Sequence, residues 1–127
     1  MSTRGVFAGA LLTLACGGSL RTVPTGVPRG AAPTPIAVDR PPPPARVERV
    51  PPDPGRPCAY LDGRWEYRGH EWEWTPGGWV HAPRGCSYAF PEAVWVPASG
   101  RGLLFYLPGR WYRDDGGAAP CAPRPCP

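Results

Sequence analysis

The residues able to do chemistry in this chain are few, and their spacing decides how far each can go. His70 and His81, with Glu71 beside the first, are the natural place to look for a metal. On neighbouring antiparallel strands the two imidazoles would share a face, offset by one pair. Glu71 would point to the opposite face, because side chains alternate along a strand. No third ligand stands nearby, so metal binding is not expected. Ser87 and Ser99 have no base at a suggestive spacing, and the Gly-x-Ser-x-Gly elbow of serine hydrolases does not occur. Glu71 and Glu73 share a face, as an acid–base pair would. Arg64 and Arg68 fall on that face too, which predicts a solvated, charge-paired surface instead. No glycine-rich run joins a strand to a helix, so no phosphate loop is predicted. These patterns predict no catalytic residue, no cofactor, no metal and no enzymatic activity.

The cysteines are more informative. There are five, an odd number, but Cys16 stands apart at the end of an apolar run. Cys58, Cys86, Cys121 and Cys126 remain, an even set without a Cys-x-x-Cys pair. That favours disulfides in an oxidising compartment over a zinc site. Each bridge would stabilise a small domain by about 2–4 kcal/mol. Three connectivities are open, of which Cys58–Cys86 with Cys121–Cys126 is slightly preferred.

The third group is aromatic. All six Trp and five Tyr lie beyond residue 59. Trp65, Trp72, Trp74, Trp79, Trp95 and Trp111 are the candidate ligand-binding aromatics, since exposed indoles stack on sugar rings or anchor a protein partner. The competing use is a core, which a 70-residue domain needs. Four hexapeptides share the order aromatic, two residues, a small residue, any residue, Trp: Tyr60–Trp65, Trp74–Trp79, Phe90–Trp95 and Tyr106–Trp111. Ala93 replaces the glycine in the third.

Asp62-Gly63, Pro76-Gly77 and Pro108-Gly109 inside these hexapeptides are turn signals. They predict hairpins in which Tyr60 faces Trp65, Trp74 faces Trp79 and Tyr106 faces Trp111. Returns are expected at Arg68-Gly69, Ala82–Gly85 and Ala98–Gly102. The fold class is therefore all-β: a small antiparallel up-and-down meander of about eight short strands, at 58–61, 64–68, 70–75, 78–82, 87–91, 94–97, 103–107 and 110–113. Alternation puts eleven aromatics on one face. The other face begins charged and ends apolar, so the sheet is expected to curl on itself.

The hexapeptides resemble the WxxGxW (or YXWGXW) repeat of small exported bacterial proteins, often lipoproteins. Trp74–Trp79 fits fully, Tyr60–Trp65 and Tyr106–Trp111 fit with Tyr first, and Phe90–Trp95 departs at Ala93. The resemblance covers about 55 residues. It implies a β-rich envelope domain and names no catalytic residue. The N-terminus is similar to a bacterial lipoprotein signal. Arg4 precedes the apolar stretch Gly5–Ala15, and Leu12-Thr13-Leu14-Ala15-Cys16 resembles a lipobox, with Thr13 where an aliphatic residue is usual. The resemblance implies that Cys16 is the lipidated first residue of the mature protein. Eleven apolar residues are too few for a span, which takes about 20. Cleavage after Gly17, giving plain secretion to the periplasm, is the alternative.

The organisation expected is residues 1–16 as lipoprotein signal with acceptor Cys, 17–57 as a disordered Pro-rich tether, and 58–127 as the aromatic hairpin domain with a disulfide-bearing C-terminal tail. The tether holds twelve Pro and no aromatic, and such composition does not bury enough to order itself. The net charge of +4 resides in residues 1–57, because residues 58–127 contain seven Arg and seven acids. A neutral domain argues against a nucleic-acid partner. The expected function is a membrane-anchored envelope lipoprotein with a structural or protein-interaction role. The alternative is a glycan-binding module for peptidoglycan or surface polysaccharide. The lipid anchor points to the cell envelope, with the outer membrane favoured, the domain facing the periplasm or the cell surface.

Overall fold

In the computed structural model, which describes residues 18–98 and 100–127, the chain is all-β, and none of the described residues is helical. Cys16 and the segment expected to be a signal lie outside the described residues, as does Ser99. Ten short strands form: β1 (Ile36–Val38), β2 (Cys58–Leu61), β3 (Arg64–Arg68), β4 (Glu71–Thr75), β5 (Gly78–His81), β6 (Cys86–Ala89), β7 (Glu92–Ala98), β8 (Arg101–Leu107), β9 (Arg110–Arg113) and β10 (Arg124–Pro125). Eight of them fall close to the expected positions, and in β3 and β4 aromatic residues alternate with charged ones, a strand pattern.

Their pairing differs from a meander. β3 pairs with β4 and β7 with β8, while β2 pairs with β5 and β6 with β9. Each quartet is thus one long hairpin with a break partway along its arms. In the first hairpin Leu61 opposes Gly78 and Arg64 opposes Thr75, so the register is unchanged across Asp62-Gly63 and Pro76-Gly77. In the second, Ala89 opposes Arg110 and Glu92 opposes Leu107, again with unchanged register across Phe90-Pro91 and Pro108-Gly109.

The dipeptides expected to turn the chain are therefore interruptions. The true hairpin turns sit where only returns were expected. Gly69 and His70 both take positive φ, 53° and 72°. A two-residue loop with both centres left-handed matches the right-handed twist of its strands, whereas Pro holds φ negative and suits type II turns.

The breaks also correct the facing pairs. Tyr60 faces Trp79 rather than Trp65, and Trp74 faces Trp65 rather than Trp79. Tyr106 faces Ala93, and Trp111 faces Tyr88. Edge-on ring contacts follow, with centroids 5.4 Å apart for Tyr60–Trp79, 5.3 Å for Trp65–Trp74 and 5.0 Å for Tyr67–Trp72. Aligning the two hairpins by register makes Cys58 and Tyr60 the counterparts of Cys86 and Tyr88, and Gly77 and Trp79 those of Gly109 and Trp111. The third repeat copy accordingly begins at Tyr88, not Phe90, and Trp95 occupies the place of Tyr67.

Residues 21–25 lie between the hairpins. Tyr60 N–H donates to Arg21 C=O (2.8 Å), Val23 N–H to Tyr60 C=O (3.0 Å), and Tyr88 N–H to Pro24 C=O (2.8 Å). This stitch joins β2 to β6 and buries Val23 among Ala59, Leu61 and Tyr88. Here Tyr88 and Trp111 of the second hairpin pack on the Ala59 and Leu61 side of the first, while Tyr106 packs on the first hairpin's Tyr67 and Trp72. The expected single aromatic face is split into two, each covered differently.

The disulfides are Cys58–Cys126 and Cys86–Cys121, not the preferred pairing. Cys58 and Cys86 occupy equivalent places in the two hairpins, so the tail after β9 comes back to close each. β10 adds to the edge of β5, and Cys126 N–H donates to Trp79 C=O at 2.9 Å.

Candidate functional site

The Pro-rich segment expected to be a disordered tether instead lies along the aromatic face of the first hairpin. β1 pairs with β8 over Leu104–Tyr106. The chain then runs past four indoles, each donating its ring N–H to it. Trp72 donates to Arg40 C=O (3.1 Å), Trp65 to Pro44 C=O (3.0 Å), Trp74 to Glu48 Oε1 (2.8 Å) and Trp79 to Pro51 C=O (3.1 Å). The physical reason is mutual satisfaction. An extended Pro-rich backbone offers carbonyls and few N–H groups, while an indole offers one N–H and no acceptor. Neither has an equally good partner within its own segment.

The strap is held hardest at the first break. Glu48 takes both Trp74 Nε1–H and, at 2.9 Å, Gly77 N–H. These donors, Trp74 foremost, hold its carboxyl below the ordinary value of 4.5. Arg46 lies over the Trp65 ring, 4.8 Å from its centroid, and 5.9 Å from that of Trp74, a cation–π distance. Gly77 admits no side chain, because a Cβ there would meet the Tyr60 hydroxyl and the Gly63 nitrogen. At the second break Gly109 is closed in the same way by the Tyr88 hydroxyl and Pro91. Burial pushes the hydroxyls of Tyr60, Tyr88 and Tyr106 above their usual 10.0.

Of the candidate aromatics, Trp65, Trp72, Trp74 and Trp79 come together under the strap. Trp111 packs against Tyr88 and the Val23 cluster, its centroid 5.4 Å from the Tyr88 ring. Trp95 joins neither group and is 61% exposed on β7. Glu48 and Arg46, the charged contacts of the ladder, were not singled out by sequence reasoning. The only signal for them was their position within the segment carrying the excess Arg.

Between strap and hairpins remains a cleft of about 230 Å³, lined by Pro42, Trp65, Trp72, Phe90, Tyr106 and Arg64 among others. Trp72 and Tyr106 meet edge-on there at 5.2 Å.

The residues considered for chemistry are dispersed. His70 is at the β3–β4 turn and His81 at the far end of the same hairpin, opposite Cys58. His81 does lie near Cys58 and Cys126, with ligand atoms within 4.8 Å of one another, but both sulfurs are joined in the disulfide. Ser87 is buried and donates to Asp114 Oδ1 at 2.7 Å. Glu66 opposes Glu73 across the ladder. Arg64 (3.0 Å) and Arg68 neutralise Glu66, and Arg68 also lies 3.7 Å from Glu73.

Fold and site define a disulfide-stapled, all-β domain whose tryptophan ladder grips its own Pro-rich strap. Compared with known proteins, the chain matches no family, no curated protein and no solved structure.

Proposed function

We propose that this chain is a lipid-anchored protein of the bacterial cell envelope, non-catalytic, with a structural or protein-interaction role. The observation that carries this reading is the use of the tryptophan ladder inside the molecule. Four indole N–H groups that would greet a ligand are engaged by the chain's own backbone and Glu48. Two disulfides among the described residues support export to an oxidising compartment. The lipobox-like Cys16 supports acylation, and the resemblance to WxxGxW-repeat envelope proteins agrees with both. No helix among the described residues is long and apolar enough to cross a membrane.

The strap changes what anchoring would mean. Arg21 is already fixed to the domain, its Nε–H donating to Cys58 C=O (2.7 Å) and its guanidinium pairing with Asp53. An acylated Cys16 would leave only the chain up to Arg21 as tether, at most roughly 17 Å when extended. The domain would sit on the membrane rather than far from it. The test is partitioning of the full chain against Cys16→Ala in the producing cell: loss from the membrane fraction supports the reading, and unchanged partitioning contradicts it.

The second reading is a glycan-binding module, favoured by the cleft that Trp65, Trp72, Tyr106 and Arg64 line. Titration with peptidoglycan fragments and surface polysaccharides, followed by Trp fluorescence, decides it. A saturable change supports glycan binding, and none with any polymer retires it.

A further inference from the structure

Among the described residues, the outer part of the second hairpin leaves large apolar side chains uncovered on both faces of a strand pair. β1 covers β8 only from Leu104 to Tyr106, so the ribbon from Trp95 to Leu103 extends past its last neighbouring strand. Trp95 faces Leu104, and Val96 faces Leu103. Since adjacent residues point to opposite sides, Trp95 stands on one face and Val96 with Leu103 on the other. Their exposures are 61%, 42% and 49%. Trp95 lies against Gly102, where a Cβ would be 3.1 Å from its ring. The corresponding stretch of the first hairpin is different, with Glu66 and Glu73 on one side and Tyr67 and Trp72 packed on Tyr106 on the other.

Charge points the same way. From Ala93 to Leu107 the finger has no acidic residue, and Arg101, exposed, is its one charge. A protein groove would cover one side of such a ribbon and leave the other wet. A medium that surrounds it covers both. Trp is suited to the headgroup boundary of a bilayer, with an apolar ring and a polar N–H, and a cationic tip is drawn to anionic headgroups.

We propose that the β7–β8 finger inserts into the interfacial layer of an anionic membrane, with Trp95, Val96 and Leu103 as its apolar contacts and Arg101 on the lipid phosphates. This contact is independent of acylation at Cys16. It would act in addition to that anchor, at the other end of the second hairpin from Tyr88, which pairs with Pro24.

The experiment uses the chain from Gly18 onward, which contains every strand and both disulfides described above, so no acyl group can contribute. It is floated with vesicles of phosphatidylcholine alone and of phosphatidylcholine mixed equally with phosphatidylglycerol. Binding is expected on the mixed vesicles, with a blue-shifted Trp emission quenched by lipids brominated along the acyl chains. Trp95→Ala is expected to weaken it about tenfold or more, and Arg101→Glu to reverse the preference for anionic lipid. Both side chains are exposed, and unchanged disulfides and circular dichroism report that the fold is kept. Absence of binding to mixed vesicles overturns the proposal, as does binding that both variants leave unchanged, which would point to the strap arginines. Concentration-dependent self-association that buries Trp95 without vesicle binding overturns it in favour of a second copy of the chain. Failure here leaves acylation of Cys16 untouched, and failure of the Cys16→Ala test leaves the finger untouched.

Discussion

Replacing Glu48 by alanine is expected to release the strap before it unfolds the domain. The carboxylate takes two donors at 2.8 and 2.9 Å, from the Trp74 ring and the Gly77 backbone. Hydrogen bonds to a charged partner contribute about 1.5–3 kcal/mol each when shielded. Glu48 is only half-buried, so water replaces part of that and the expected net loss is about 1–2 kcal/mol. That corresponds to a roughly 5–30-fold rise in the population with the strap open. Trypsin reads this directly, because cleavage after Arg46 and Arg49 requires the strap to leave the hairpin, and nicking follows the open population when opening is fast. Mass spectrometry of early fragments gives the rate at those two bonds. Their cleavage is expected to accelerate in Glu48→Ala by the stated factor, ahead of cuts within the strands.

The pH dependence has a definite sign. The folded carboxyl lies below its ordinary 4.5, chiefly through Trp74, so its contribution is complete above that value. It is lost as pH falls through the lower folded value. Strap release in the natural chain is expected to increase over that acid range, and Glu48→Gln to lack the Glu48 component of the increase. Equal nicking rates for natural chain and Glu48→Ala, with the same urea midpoint, would refute the reasoning.

Three further outcomes follow from the broken hairpins. Gly77→Ala and Gly109→Ala each force a Cβ against a tyrosine hydroxyl, and each is expected to lower stability by about 1–3 kcal/mol in urea unfolding. Tyr60→Phe is expected to lessen the cost at Gly77, by removing the atom in the way. His70→Gly relieves a left-handed backbone at φ 72° and is expected to raise stability by about 1 kcal/mol. Cys126→Ser opens a 68-residue separation and Cys121→Ser a 35-residue one. Each is expected to cost about 3–4 kcal/mol, and peptide mapping of the natural chain is expected to return only the Cys58–Cys126 and Cys86–Cys121 fragments.

Strand positions were legible because they depend on local alternation. Glu71-Trp72-Glu73-Trp74-Thr75 reads as a strand whatever it pairs with. Pairing was not legible. Asp62-Gly63 and Pro76-Gly77 carry turn chemistry, but Pro at that place does not supply the left-handed pair that a tight hairpin needs. The Gly69-His70 loop does so with a residue that rarely takes such a conformation. The repeat alignment slipped by two residues in its third copy because Phe90 and Tyr88 are both aromatic. Only the matching of Cys86 to Cys58 across the hairpins separates them.

The strap was hidden for a different reason. Composition speaks for a segment alone, and residues 18–57 bury little by themselves. Their order comes from indole donors on strands up to several tens of residues away. Disulfide pairing belongs to the same class, since it depends on where the tail returns after β9.

The most direct test of the account is the exchange of the six indole N–H protons with deuterated water, followed by nuclear magnetic resonance. The account predicts slow exchange for Trp65, Trp72, Trp74 and Trp79, with cross-peaks from their ring N–H to residues 40–51, and fast exchange for Trp95. Uniformly fast exchange, with no contacts to the Pro-rich segment, would contradict it.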